Sequence, residues 1–170
     1  VMIALGAYIF AQNDRYLAPF NISSMLMLAA ALGFVALGQT MALLIGGIDL
    51  SVGPLAGFLV VIASFFLVDE QPAGMWILGL VLMLGLAVVV GLFNGGLITA
   101  GKFTAIAATL VTYIALQGVS LILRPTPGGF ISSSITQVVT LQVGPIPVVF
   151  LVLVAVTVAL EFGLRLRRWG

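Results

Sequence analysis

The sequence has no cysteine and no histidine, and it carries only six basic and five acidic residues in 170. Without cysteine there is no disulfide framework and no thiol chemistry. Without histidine there is no imidazole ligand and no imidazole acid or base. Hydrolytic and redox enzymes lose their usual groups, so the chain is expected not to be an enzyme, with no catalytic residues, no metal site and no cofactor. A formal net charge of +1 is too small for a nucleic-acid footprint, which needs a patch of many Lys and Arg. The scarcity of charge also excludes a water-soluble fold, because a soluble domain carries about a quarter charged residues on its surface. With 62% hydrophobic residues and a mean hydropathy of +1.33, the solvent that suits this chain is a lipid bilayer.

What is abundant is long apolar runs, and the charges punctuate them, since an ionised side chain at the bilayer centre is costly. Six spans are expected: 1–11, the tail of a truncated first one, then 22–45, 50–68, 75–99, 103–123 and 146–163. The runs are too long and too continuous for the roughly 10-residue alternating strands of a membrane barrel. The fold class is therefore all-α and polytopic, with residues 1–170 as a single transmembrane domain. The chain opens within an apolar run at Val1, without the charged start of a signal peptide, and it stops within a basic cluster. It is expected to be part of a longer polytopic protein.

Orientation follows from the basic residues in the loops. Lys102 and the cluster Arg165, Arg167 and Arg168 lie on one side; Arg15 and Arg124, with Asp14, Asp69 and Glu70, lie on the other. Four against two makes the Lys102 side cytoplasmic. The 124–145 loop is broken by Gly and Pro, and its later part, Ile135 to Val143, alternates enough for a short strand or an interfacial helix. Small residues recur at Gly33, Gly38, Gly74, Gly79, Gly85, Gly91, Gly95 and Gly96, and Gly91–Gly95 is a GxxxG step. The expected role of such a step is close helix packing.

One charge is not punctuation. Asp49 is the only charged residue between Arg15 and Asp69, in Ile45-Gly-Gly-Ile-Asp-Leu-Ser-Val-Gly-Pro-Leu55. Gly46 and Gly47 can end a helix in left-handed conformation. Asp49 or Ser51 can cap the next, and Pro54 is tolerated in its first turn. The sequence therefore reads as a helix broken over 46–53. Asp49 is either a cap at the interface or part of a break within the membrane, whose freed backbone groups line a polar cavity as in transporters; the two are compatible. Gly46, Gly47, Asp49, Ser51 and Gly53 are accordingly candidates for a translocation pathway or gate. Gln39, Asn94 and Gln117 join them, because an amide inside a span must face other helices or water. The Thr residues within spans are expected to bond their own helix carbonyls.

The stretch Gly38-Gln-Thr-Met-Ala-Leu-Leu-Ile-Gly-Gly-Ile-Asp-Leu-Ser-Val-Gly53 resembles the signature of the ribose/xylose/arabinose-type permease subunits of bacterial ABC importers. Asn21-Ile-Ser-Ser-Met25, Gly91-Leu-Phe-Asn-Gly-Gly96 and Phe103 to Gly118 resemble further elements of that family in the same order. The resemblance implies an inner-membrane subunit that pairs with a second permease copy, receives a monosaccharide from a periplasmic substrate-binding protein, and moves it by alternating access driven by a cytosolic ABC ATPase. The family's cytoplasmic coupling segment is expected beyond Arg168. Branched-chain amino acids or another small metabolite are alternative cargoes, and an ion-coupled carrier or a purely structural subunit are alternative classes. The residues themselves suit a neutral, hydroxyl-rich solute, which needs a wet path of amides and hydroxyls rather than fixed charges. Apart from Asp49, and Glu161 near the end of the last span, the spans hold no Asp, Arg, Lys, Glu or His, which argues against proton coupling.

Overall fold

The computed structural model describes residues 1–13 and 15–166. Of the charges used for orientation, Asp14, Arg167 and Arg168 lie outside the described residues. Among the described residues, seven helices and one small hairpin follow in order: α1 Met2–Gln12, α2 Pro19–Leu44, α3 Val52–Phe66, α4 Ala73–Thr99, α5 Ala105–Leu123, α6 Ser133–Val139, β1 Gln142–Val143, β2 Ile146–Pro147 and α7 Val148–Leu166. Four of them, α2, α4, α5 and α7, are long and apolar enough to cross a membrane. This is an all-α polytopic membrane protein, with large apolar side chains facing outward along most of its helices. The chain forms two compact units, one of residues 1–34 and 137–170 and the other of residues 35–136.

In the first unit, α1 ends at Asn13, which turns the chain into extended backbone. The Asn13 Oδ1 accepts the Arg15 N–H at 2.9 Å, and Asn21 Nδ2 donates to the Arg15 carbonyl at 2.8 Å. α2 begins at Pro19, three residues before the expected start at Ile22. Proline lacks only an N–H that the first helical turn leaves unused, so Pro19 opens the helix rather than ending the loop. On the same helix Gly33 faces Leu153 of α7 so closely that a Cβ would not fit. The 135–143 segment resolves into both of its expected forms, with α6 followed by β1. β1 pairs antiparallel with β2, Gln142 opposite Pro147 and Val143 opposite Ile146, across a turn that Gly144 enters at φ +63°.

In the second unit α3 packs against both α4 and α5, and α4 also packs against α5. Gly79 of α4 leaves room for Phe66, whose Cβ lies 2.5 Å from where a Gly79 Cβ would stand. Gly38, Gly74, Gly85, Gly91, Gly95 and Gly96 have open space at that position instead. Among the described residues the GxxxG step therefore does not bring two helices together. At the end of this unit opposite Lys102, Asp69 ties down the long loop: its carboxylate accepts the Ser132 hydroxyl at 2.5 Å and the Ser133 N–H at 3.2 Å. Those two donors favour the ionised form and hold the Asp69 carboxyl below its ordinary value. Ser132 N–H also donates to the Leu67 carbonyl, and Trp76 Nε1 to that of Val68.

A polar network at the broken helix

The break falls where the sequence places it. α2 stops at Leu44, Gly46 adopts φ +79°, Gly46 N–H donates to Leu43 O, and Gly47 N–H donates to Ala42 O, each at 2.9 Å. This paired bonding is a Schellman cap, and only glycine adopts the left-handed turn at no steric cost. Gly47 sits close to α5, where a Cβ would come within 3.2 Å of the Ala105 Cβ.

After the glycines the chain is irregular until Ser51, and side chains from three helices satisfy it. Asp49 Oδ1 accepts the Ser51 N–H at 2.8 Å and the Ser51 hydroxyl at 2.6 Å. The Ser51 oxygen in turn accepts Asn94 Nδ2 of α4 at 2.9 Å, and Asn94 Oδ1 accepts the Thr112 hydroxyl of α5 at 2.5 Å. Ser51, Asn94 and Thr112 are all buried, at 1%, 5% and 4% exposure. Two residues before the helix, Leu50 N–H donates to Thr109 Oγ1 at 3.1 Å, while that hydroxyl donates to the Ala105 carbonyl at 2.8 Å. Gln39 of α2 faces the Asp49 backbone, and in the amide orientation that satisfies both groups its nitrogen donates to the Asp49 carbonyl at 2.9 Å and its oxygen accepts the Asp49 N–H at 3.2 Å. The backbone of Asp49 is thus paired as it would be in a sheet, by a side-chain amide.

The break lies inward of the ends of its neighbouring helices. Asn94 is five residues short of the end of α4 and Thr112 is seven into α5. At 1.5 Å per residue, Ser51 therefore meets them about 8–10 Å inward of those helix ends. α3 itself, with 15 residues, is about 22 Å long against roughly 30 Å of hydrocarbon, so it is shorter than the expected 50–68 span. Irregular backbone inside a membrane is tolerated only where protein or a wet cavity satisfies it, and here side chains of Gln39, Asp49 and Thr109 satisfy it. A cavity of about 180 Å³ adjoins the break, walled by Asp49, Asn94, Thr109 and Ile98, with Gly91 and Gly95 contributing bare backbone. It has room for several waters. The two glycines thus border a cavity where helix packing was expected.

Of the candidates read from sequence, Gln39, Gly46, Gly47, Asp49, Ser51 and Asn94 come together here. Gly53 lies in the first turn of α3 with open space around it. Gln117 is exposed on α5, more than a turn beyond Thr112, and takes no part in the network. Thr109 and Thr112 are the members that sequence reasoning missed. The own-helix rule describes Ser24, Thr40, Thr99, Ser120 and Thr157, which all bond the carbonyl four residues back. Thr112 departs from it because an amide from α4 offers a closer acceptor than its own Ala108 carbonyl at 3.3 Å. The signal was their spacing, which puts Thr109 and Thr112 on the buried face of α5 with Ala108 and Leu116. Among the described residues no cluster of metal-ligating side chains occurs.

The fold and the site define a polytopic helical membrane protein with a buried polar network, and comparison with known proteins narrows the type. The chain is 30% identical over 128 residues to the xylose/arabinose import permease of Sulfolobus acidocaldarius, covering 72% of this chain and 35% of the relative. It is 32% identical over 132 residues to the ribose import permease of Haemophilus influenzae, covering 76% and 40%, and 35% identical over 111 residues to that of Bacillus subtilis, covering 65% and 33%. The chain is a homologue of the ribose, xylose and arabinose import permeases. It spans about two fifths or less of the length of these relatives. No family model matches it. No solved structure matches it either.

Proposed function

We propose that this chain is the permease part of an ATP-driven importer of the inner membrane, moving a monosaccharide of the pentose class. In that reading residues 1–170 form one transmembrane permease domain within a longer subunit. A periplasmic binding protein delivers the sugar, a cytosolic ABC ATPase drives the cycle, and a second permease copy completes the pathway. The relatives, named for ribose, xylose and arabinose, support a sugar over an amino acid.

The observation that carries the reading is the bond from Asn94 to Ser51 at the start of α3. Neutral amides and hydroxyls there can exchange partners with sugar hydroxyls without the tight binding that fixed charges would impose. Gln39 and Asp49 hold the chain irregular, so the α3 N-terminus is a joint between two helices rather than a continuous rod. Alternating access needs such a joint, around which one helix can rock while the polar groups stay satisfied. The test is reconstitution of the full-length permease with its ATPase and binding protein in proteoliposomes. Uptake of labelled D-ribose, D-xylose or L-arabinose should require both ATP and the binding protein. Uptake that follows an ion gradient and ignores ATP would overturn the proposal.

A further inference from the structure

The end of the helix bundle opposite Lys102 holds a second polar site that the network at the break does not use. Two adjoining hollows, of about 390 and 330 Å³, share Ser64 of α3 and the loop residues Gly129, Phe130 and Ile131 as walls. Asp69 and Glu70 line one of them and Arg124 lines the other. Arg124 is fixed there without a partner for its Nε, which is buried and makes no hydrogen bond. Its guanidinium lies 4.7 Å from the Phe65 ring centroid. Gly129, at φ +90°, also lies against it, and a Cβ there would fall 2.8–3.0 Å from the guanidinium atoms. The Asp69 carboxylate is equally fixed, through the buried Ser132. The Phe130 ring stands 87% exposed beside them.

We infer that this crevice is a transit site for a neutral polyol, taking up the sugar before it reaches the broken helix; the inference rests on the function proposed above. The chemistry is that of carbohydrate recognition. A sugar offers adjacent hydroxyls that both donate and accept, together with an apolar C–H face. Arg124 supplies N–H donors held in a rigid fork, Asp69 and Glu70 supply acceptors, and Phe130 supplies a surface for the C–H face. A phosphate headgroup would face two carboxylates, and a simple amine would face the guanidinium. A zwitterion matches both signs, so it enters the test as a competing ligand.

The experiment uses the full-length permease in phosphatidylcholine nanodiscs, with saturation-transfer NMR of D-ribose, L-leucine and methyl phosphate in turn, and D-ribose uptake by the assembled transporter. D-ribose should show saturation transfer, and L-leucine and methyl phosphate should show none. Arg124→Gln should weaken D-ribose binding about tenfold, the equivalent of one charged hydrogen bond, and lower uptake at saturating loaded binding protein. Glu70→Gln, at an exposed turn position where folding is not at stake, should weaken binding in the same direction. Leu84→Ala, at an outward-facing position of α4, should change neither. Transfer to L-leucine or methyl phosphate in place of D-ribose overturns the inference, as does uptake that Glu70→Gln and Arg124→Gln leave unchanged. Failure of the wild-type assembly to take up any pentose with ATP overturns the proposed function instead.

Discussion

Replacing Asn94 with alanine should loosen the joint between α3, α4 and α5 by an amount the geometry allows to be worked out. The amide makes two side-chain bonds, one donated to Ser51 and one accepted from Thr112. A net hydrogen bond is worth about 1 kcal/mol, and interhelical polar bonds measured in a membrane average about 0.6 kcal/mol. Neither partner is orphaned by the change: Ser51 keeps its bond to Asp49, and Thr112 has the Ala108 carbonyl to fall back on at 3.3 Å. That favours the low end, about 1–2 kcal/mol in all. The assay is SDS-titrated unfolding of the full-length permease. Asn94→Ala and Thr112→Val are each made alone and together, so that the double-mutant cycle isolates the shared bond. We expect a coupling of about 0.6–1 kcal/mol. Additive single variants, within about 0.3 kcal/mol, would refute the reasoning, because two residues that share a buried bond cannot behave as independent sites.

Asp49→Ala should impair uptake and cost about 1 kcal/mol, since it removes the acceptor for both the Ser51 N–H and hydroxyl; Asp49→Asn, which keeps an oxygen in place, should restore most of the stability in the same unfolding assay. Gly46→Ala should destabilise by about 1–2 kcal/mol through conformation alone, because the site has open space around it but a φ of +79°. The Asp69 clasp should be acid-labile. Its bonds to Ser132 and Ser133 lower the carboxyl below its ordinary value of 3.8, so the stability it contributes is present above that value and is lost as pH falls through the lower, folded one. Amide hydrogen exchange at Ser133 should therefore accelerate at acid pH beyond the intrinsic trend, and Asp69→Asn should abolish that extra pH dependence.

The architecture was legible because charge is so scarce that it marks helix ends. Expected spans and observed helices agree to within three residues at each end, and the differences have physical causes. Pro19 reads as loop punctuation beside polar Asn21, yet it suits a first helical turn. Ile146 and Pro147 are apolar enough to join the last span, but they pair with β1 instead. α3 falls short because the segment before it spends its polar groups on side chains from other helices, and an apolar run does not reveal that. At the site, Gly46, Gly47 and Asp49 were legible from local chain chemistry, and Gln39 and Asn94 from the cost of leaving an amide in lipid. Thr112 was not, since its choice between Ala108 and Asn94 depends on which helix lies opposite. Gly91 and Gly95 were misread for the same reason: a small residue permits close approach and equally permits a cavity, and only the neighbouring helices decide. Arg124 was read as a loop charge, and its stacking on Phe65 depends on a contact that sequence spacing does not reveal.

The central claim is that the break between α2 and α3 lines the solute path. The 170 residues contain no cysteine, so a thiol placed at Ile98, in the wall of the cavity beside Asp49 and Asn94, is the only one in this stretch. In the assembled full-length transporter, its reaction with a membrane-impermeant methanethiosulfonate should change several-fold between the nucleotide-free and ATP-trapped states, and D-ribose should slow it. A thiol at Ile98 that stays unreactive in every nucleotide state, while sugar uptake continues, would contradict the account.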